Sequence, residues 1–504
     1  MNQRKVGAIL SYLSIGIHSI IGFIYVPMLL MFLSKEQYGL YQLVGSLVAY
    51  LAVMDFGLAN TTVRYYSQLL AKKDTIGQEN LLATMLRVYT GIAVAIMIVA
   101  IILLYILLPF YTKTLSPIEI VTAKYVYWIM IFNLMIVIPG HIFVAIIQSH
   151  EKFVFLKSVN ILNVIAQPIL VFIVLHFETS IVALVVVQTI CNIMMFSANA
   201  YYSIFKLNAN FHLHKWDNKF VKEVLIFSFF VFLPSIISLA YWKTGQVILG
   251  AVIGTVSVAI YSIAIQFSSA FMSLSTAVSG VFLPKVSSIT AKTDDMTEIN
   301  NIFIKTGRLQ FLLLSLVFCG FIIYGKQFII FWVGSSFLDA YLYALLLMAG
   351  LFVCLIQSVG ISVLQAKNKH YFRSKVYFIL GIFNILASIP MAKKYGALGC
   401  AITTTFCLFL GQTVIMNIYY NKIGIKILDF FKQIFSMAIP IFVVFIIGLS
   451  IEKIFYTSSF FFYLSKILLF VLIFILLTWN FAFNQYEKDL IRKPINSIYR
   501  RFRS

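Results

Sequence analysis

Apolar residues run along this chain in long unbroken stretches, separated by short polar segments. Most stretches reach about 20 residues or more, the length needed to cross a bilayer as a helix and too long for an ordinary globular core. Inside lipid every backbone group must be satisfied internally, so only helices and closed barrels span it. The apolar runs are continuous and do not alternate with polar residues, which excludes barrel strands and predicts helices. Fourteen spans follow, at 8–32, 41–62, 85–109, 121–148, 157–176, 180–204, 224–252, 259–284, 308–332, 338–366, 375–391, 396–420, 430–450 and 462–484. The even number puts both termini on one side.

The lysines and arginines say which side. The N-terminus, the segments after even-numbered spans and the C-terminal tail hold 29 of the 38 Lys and Arg residues. Cytoplasmic loops collect these residues, so both termini are expected in the cytoplasm. This changes the meaning of the net charge of +21. Nearly all of it follows topology, so it gives no reason to expect a nucleic-acid partner. Composition agrees with the membrane reading: the chain is 61% hydrophobic and 11% charged. The first apolar run is helix-length and lacks a small-residue cleavage site, so it is expected to act as a signal anchor. The five cysteines lie within apolar runs, without CxxC spacing, and read as inert packing residues.

The chain also repeats itself. Residues 41–80 fall without a gap on 261–300, so that Tyr41 meets Tyr261 and Asn80 meets Asn300. Further on the offset falls from 220 to 217, and Gln148, Lys152 and Phe155 meet Gln365, Lys369 and Phe372. An even number of helices separates equivalents, so the halves share one orientation about an axis along the membrane normal. The expected fold is an all-α integral membrane protein with two parallel six-helix lobes and two further helices at the C-terminus. The N-lobe would be 1–205, a cytoplasmic linker 206–223 and the C-lobe 224–420; helices 13 and 14 occupy 421–484 and a basic tail 485–504. Such a parallel repeat is the layout of an alternating-access transporter.

Polar residues inside the spans are the candidate site. In span 8, Ser262, Gln266, Ser269, Ser273, Thr276 and Gly280 line up at helical spacing through the membrane, which predicts a water-exposed cavity face. Span 5 carries Asn160, Asn163 and Gln167 on one face, and span 6 carries Gln188, Asn192 and Asn199. Polar residues in those positions join membrane helices, and packing is the expectation for both stripes. Four ionisable groups lie inside the hydrocarbon: His18, Asp55, His141 and Lys243. Each is a functional candidate by default. For His18 and His141 the competing reading is a neutral, hydrogen-bonded packing histidine, His141 beside a kink at Pro139 and Gly140. For Lys243 it is a side chain that snorkels to the surface.

Asp55 is the hardest to explain away. It sits roughly 12 Å from the cytoplasmic end of span 2, too deep for its short side chain to reach the interface. A carboxylate at a helix centre costs on the order of 3 kcal/mol, so it must be neutral, paired or facing water. On a straight helix Ala52, Ala59 and Thr62 would share its face and Arg64 would point away, so an Asp55–Arg64 pair would need a bend at Gly57. Its repeat partner is Ser275, which makes Asp55 private to the first half.

Four segments carry a family resemblance: YGLYQL (38–43), DFGLANTTVRY (55–65), AIIQSHEKF (145–153) and WKTGQVILGAVIGTVSVAIYSIA (242–264). In this order and with fourteen spans, the chain resembles the polysaccharide (Wzx-type) flippases of the multidrug/oligosaccharidyl-lipid/polysaccharide exporter superfamily. The resemblance implies transport of an oligosaccharide unit on undecaprenyl pyrophosphate, of O-antigen or capsule type, to the periplasmic leaflet of the bacterial inner membrane. It implies a cavity that opens alternately, no cofactor, coupling to a proton or sodium gradient, and contact with membrane lipids, a polysaccharide polymerase and a chain-length regulator. It assigns Asp55 and Arg64 to the end of the second span and Lys243 to a basic position in the seventh. Relatives often follow that basic residue with an acid, whereas Thr244 and Gly245 follow here, which puts ion coupling at that position in doubt. A lipid II flippase and an ion-coupled drug exporter remain alternatives. An enzyme would need an acidic catalytic cluster or a large outer loop, and neither is in the sequence.

Overall fold

The computed structural model describes residues 3–290, 296–367, 369–454, 459–490 and 492; most of the predicted basic tail lies outside the described residues. The described chain is helical, with no strand. In order, the helices are α1 (Gln3–Phe32), α2 (Lys35–Ala52), α3 (Leu58–Lys72), α4 (Thr75–Tyr111), α5 (Pro117–Ser149) and α6 (Phe153–Phe177). Then come α7 (Ile181–Tyr201), α8 (Asn218–Trp242), α9 (Thr244–Val252), α10 (Thr255–Thr290), α11 (Met296–Val333) and α12 (Ala340–Ile356). The last are α13 (Val359–Ala366), α14 (His370–Leu408), α15 (Asn417–Lys422), α16 (Ile427–Ile454) and α17 (Phe460–Phe481). Starts are set by local chemistry. Ser34 with Gln37 and Ser116 with Glu119 form capping boxes at α2 and α5, and the Asp74 and Asp217 carboxylates accept the first free N–H groups of α4 and α8.

Every predicted span falls on a helix, but the helices divide differently from the prediction. Among the described residues eleven are long and apolar enough to cross a membrane, or twelve with the bent pair α12–α13 taken as one span. The other differences have local causes. Predicted span 7 is cut in two at Lys243. Predicted spans 11 and 12 lie in one helical run of 53 residues, His370–Lys422. Such a run would be about 80 Å long if straight, far more than a 30 Å core. It is interrupted at Gly396, whose φ of 62° and ψ of −141° are open to glycine and strained for other residues.

The chain forms two compact units: unit 1 is Met1–Ser262 with Ser388–Ala397, and unit 2 is Ile263–Ala387 with Leu398–Ser504. The boundary between these compact units falls inside α10. The reason is that α8 packs on α3, and α9 packs on α2 and α4. In unit 1, α1 lies on α6, α6 on α7, and α7 on α5, which also holds α2, α3 and α4. In unit 2, α11 packs on α12, α16 and α17.

The repeat is visible in paired details. The Asn80 side-chain oxygen accepts the backbone N–H of His214 (2.9 Å) and Lys215 (2.8 Å). Its counterpart Asn300 accepts the Lys426 N–H (2.9 Å) and donates to the Gly424 carbonyl (3.1 Å). Phe155 stacks on Tyr202 with ring centroids 3.9 Å apart, and Phe372 on Tyr419 at 4.1 Å, both at the 217-residue offset. The helix breaks, by contrast, are not repeated. Unit 1 breaks its helix between Ala52 and Leu58; the equivalent stretch of α10 is continuous. Unit 2 breaks between Ile356 and Val359, with a 49° bend, where the equivalent stretch of α5 is continuous.

Candidate functional site

Asp55 does not sit on the straight helix that the sequence predicts. α2 ends at Ala52, a single 3-10 turn covers Val53–Asp55, and two left-handed residues follow, Phe56 (φ 53°) and Gly57 (φ 65°). Gly57 tolerates this conformation; Phe56 does not take it readily. Its ring packs against Phe232 of α8, with centroids 4.6 Å apart, an apolar contact that offsets the strain. The expected shared face of Asp55, Ala52, Ala59 and Thr62 is therefore lost. Thr62 is buried and bonds the Leu58 carbonyl of its own helix at 2.9 Å.

The break turns Asp55 toward α5. One carboxylate oxygen lies 3.2 Å from Nδ1 of His141. The pair is partly shielded, with side-chain exposures of 30% for His141 and 19% for Asp55. α5 remains helical through Pro139 and Gly140, and the hydrogen bond of His141 goes to Asp55, not to a backbone carbonyl. Gly140 instead leaves room for the Phe196 ring of α7, which would collide with a Cβ there and which also flanks His141 at 5.8 Å between ring centroids. The second oxygen of Asp55 is buried and accepts no hydrogen bond, and the buried hydroxyl of Tyr89 on α4 has Thr62 beside it but no well-formed hydrogen bond. Tyr89 and Asp55 interact electrostatically. A buried acceptor left unpaired costs about 1–3 kcal/mol, so this oxygen has room for one more hydrogen-bond donor.

Lys243 lies at the second break of unit 1, between α8 and α9. The Tyr50 hydroxyl donates to the Leu239 carbonyl (3.2 Å) and is hydrogen-bonded to the Thr244 hydroxyl, which ties α2 to both sides of this break. The ammonium of Lys243 makes no hydrogen bond or ion pair among the described residues, and Asp55 takes His141 as its partner. Gln246, three residues on, donates to Ser262 at 2.7 Å, which removes Ser262 from the predicted open stripe of span 8. Gln266 and Ser273 are half-buried and Ser269 is exposed. Ser273 and Thr276 bond carbonyls of their own helix, at 2.7 and 3.0 Å.

Arg64 is exposed on α3, with its guanidinium 5.8 Å from the Tyr65 ring centre, and does not pair with Asp55. His18 is on an exposed face of α1, not packed among other helices. The span 5 and 6 stripes cross-link helices. Gln188 donates to Tyr25 of α1 (3.2 Å) and Tyr41 of α2 (2.9 Å), Asn192 donates to Asn133 of α5 (3.3 Å), and Ser14 of α1 donates to Asn160 of α6 (3.5 Å). Gln167 also approaches Tyr25, while Asn163 is half-buried on the same helix.

Sequence reading passed over a second polar core, in unit 2. Tyr377 donates to Gln412 (2.9 Å), Gln412 to Gln357 (3.0 Å), and Gln357 to Asn417 (2.8 Å), around a π-helical segment, Phe409–Met416. Gln310 donates to Ser358 (2.8 Å) and to the carbonyl of Ser275 (3.2 Å). By the repeat offsets Ser275 and Ser358 stand where unit 1 has Asp55 and His141. Unit 2 therefore fills with neutral groups the place that unit 1 gives to an acid and a base. Three glutamines deep in apolar runs were the available signal.

Interrupted membrane helices that carry ionisable groups at the break are a feature of transporters. The sequence matches the family model of the polysaccharide biosynthesis proteins over residues 5–290, more than half of its 504 residues. The chain belongs to that family. Among curated protein sequences none matches. Among solved structures, the lipid II flippase MurJ in an inward closed conformation is similar with a TM-score of 0.76 and 18% identity, over 96% of this chain and 99% of that one. A multidrug resistance MATE family transporter of the MOP superfamily, inward-facing, gives 0.61 and 13% identity, over 81% and 94%. The eukaryotic MATE transporter AtDTX14 gives 0.60 and 12%, over 83% and 95%. At these identities the likeness is one of fold: an all-α, multi-pass membrane protein built like the MOP transporters.

Proposed function

We propose that this protein is a flippase that carries oligosaccharide repeat units, linked to undecaprenyl pyrophosphate, from the cytoplasmic to the periplasmic leaflet of a bacterial inner membrane. The observation that carries the reading is the interrupted second span of unit 1, with Asp55 and His141 paired at the break, in a chain of the polysaccharide biosynthesis family. The chemistry requires such a feature. Sugar hydroxyls and a pyrophosphate cannot cross hydrocarbon unsatisfied, so the protein must offer a polar path while the lipid tail stays outside. Cations hold phosphates along that path, and Lys243, with no carboxylate on its ammonium, is the candidate in unit 1. The protein works by alternating access, both termini lie in the cytoplasm, and flux is coupled to a proton or sodium gradient. The polymerase and chain-length regulator that use the flipped unit are its partners. It catalyses no bond chemistry.

A strain lacking the protein should lose long-chain surface polysaccharide and accumulate the lipid-linked unit, which extraction and gel analysis measure. Unchanged polysaccharide would sink the proposal. A second reading rests on the fold likeness to a lipid II flippase; lysis with accumulated lipid II in the same strain would favour it. Drug resistance lost with normal surface glycan would point to a multidrug exporter. In the complemented strain, Lys243→Ala is expected to lower flux about tenfold, the scale of one charge-assisted hydrogen bond, and Lys243→Arg to be mild. Equal, normal flux in both would make Lys243 a surface-seeking side chain.

A further inference from the structure

Unit 2 carries a second cluster that the proposed function does not use. It lies at the start of α14, next to Lys367 and Lys369. The Nδ1 atom of His370, the Nε of Arg373 and the hydroxyl of Tyr420 are all buried, and none has a hydrogen-bond partner. His370 and Arg373 are one turn apart on α14. Arg373 interacts electrostatically with both His370 and Tyr420. Its guanidinium lies 4.5 Å from the centre of the Tyr377 ring, is hydrogen-bonded to that side chain, and has no carboxylate among the described residues. Tyr420 is 0% exposed. Its phenol end lies against α13 because Gly360 is there; a Cβ at that position would be 2.8 Å from the hydroxyl oxygen.

The repeat shows that the fold does not need these groups. The stacked pair Phe372–Tyr419 matches Phe155–Tyr202 and fixes the register at this spot. In that register His370, Arg373 and Tyr420 correspond to Phe153, Leu156 and Ser203. Two are apolar, and Ser203 is satisfied by the Phe143 carbonyl at 3.2 Å. Unit 1 therefore builds the same corner without a free donor. In unit 2 three unpartnered polar atoms gather there, at the start of a helix with no side-chain cap on its first turn. The N–H groups of a first turn and the positive end of the helix dipole attract anions. Arg373 repels a cation, and a single water would leave its charge unneutralised. A tetrahedral oxyanion accepts from the guanidinium, from the phenol and, in the tautomer that carries the proton on Nδ1, from His370, and it neutralises the guanidinium.

We propose that His370, Arg373 and Tyr420, with the first turn of α14, form a binding site for a phosphoryl group. A phospholipid headgroup and free phosphate share this chemistry. The site belongs to unit 2 alone, and its test does not depend on transport. The full-length protein, purified in detergent, is titrated with inorganic phosphate, with short-chain phosphatidylglycerol and with short-chain diacylglycerol, and thermal unfolding is followed. Phosphate or phosphatidylglycerol should raise the melting temperature, and diacylglycerol should not. A response to phosphate makes free phosphate a ligand; a response to phosphatidylglycerol alone assigns the site to a headgroup. Tyr420→Phe should weaken the apparent affinity about tenfold and Arg373→Gln about a hundredfold, as expected for donors to a charged acceptor. Without ligand, Tyr420→Phe should melt close to the wild type, because the hydroxyl has Gln412 beside it but makes no well-formed hydrogen bond in the protein. No phosphate-dependent shift, an equal shift with diacylglycerol, an unchanged affinity in both variants, or a ligand-free Tyr420→Phe protein that melts clearly lower would each overturn the proposal.

Discussion

Arg308→Ala should destabilise unit 2 by about 3–5 kcal/mol, the cost of breaking a buried ion pair from one side. Arg308 on α11 is 5% exposed and Glu487, beyond α17, is 1% exposed. The guanidinium donates to both Glu487 oxygens, at 2.6 and 3.1 Å, to the Ala482 carbonyl at 2.9 Å, and to the carbonyl and side-chain oxygens of Gln433 at 3.3 Å. One side chain thus joins α11, α16 and the segment after α17. Its removal strands a buried carboxylate and takes a donor from the Ala482 carbonyl; the Gln433 carbonyl keeps the Ser436 hydroxyl at 2.7 Å. The double variant Arg308→Met with Glu487→Met removes both charges and leaves no uncompensated one, so it should lie closer to the wild type than either single variant. Chemical unfolding of the detergent-purified variants measures this. Single variants as stable as the double would show that the pair holds nothing in place.

Asp55→Asn should cut transport at least about tenfold, while Ser275→Ala at the repeat-equivalent position changes it less than about twofold; one charge-assisted hydrogen bond accounts for the difference. The asparagine keeps the size of the side chain and can still bond His141, so its abundance in the membrane should be close to normal. What it cannot do is carry the charge or take up a proton. Ser275 is already satisfied by the Leu355 carbonyl at 3.2 Å and has no such task. The readout is the length distribution of surface polysaccharide in cells that carry only the variant. Wild-type polysaccharide from Asp55→Asn cells would end the functional role of the residue.

Much of the fold was legible, because apolar run length decides where a membrane helix can lie, and every predicted span is helical. Asp55 and His141 were legible as candidates for the same reason: an ionisable group in hydrocarbon needs an explanation. Their pairing was not. It depends on a left-handed phenylalanine at position 56, a conformation that Phe gives no signal for, stabilised by Phe232 far along the chain. Gly57 hinted at a bend, but not that the ladder would stop at Ala52. Arg308 read as one cytoplasmic cation among many, since charge counting cannot see Glu487 across 179 residues. Gln310, Gln357 and Gln412 were missed because a neutral amide does not interrupt an apolar run. The packing of α8 and α9 was hidden for a comparable reason: it is decided by side-chain contacts with α2, α3 and α4, which the linear sequence does not show.

The distance in sequence between Asp55 and His141, 86 residues, also has a consequence for biogenesis. A ribosome adds about 5–20 residues per second, so roughly 4–17 seconds separate the synthesis of the acid from that of its partner. During that interval the second span has a carboxyl group deep in its apolar stretch and no histidine to meet it. The newborn segment must wait as the neutral acid, or stay beside the insertion machinery, until α5 arrives. The pair thus sets an order of assembly: α2 and α3 are not finished as a membrane element until a helix made three segments later has joined them.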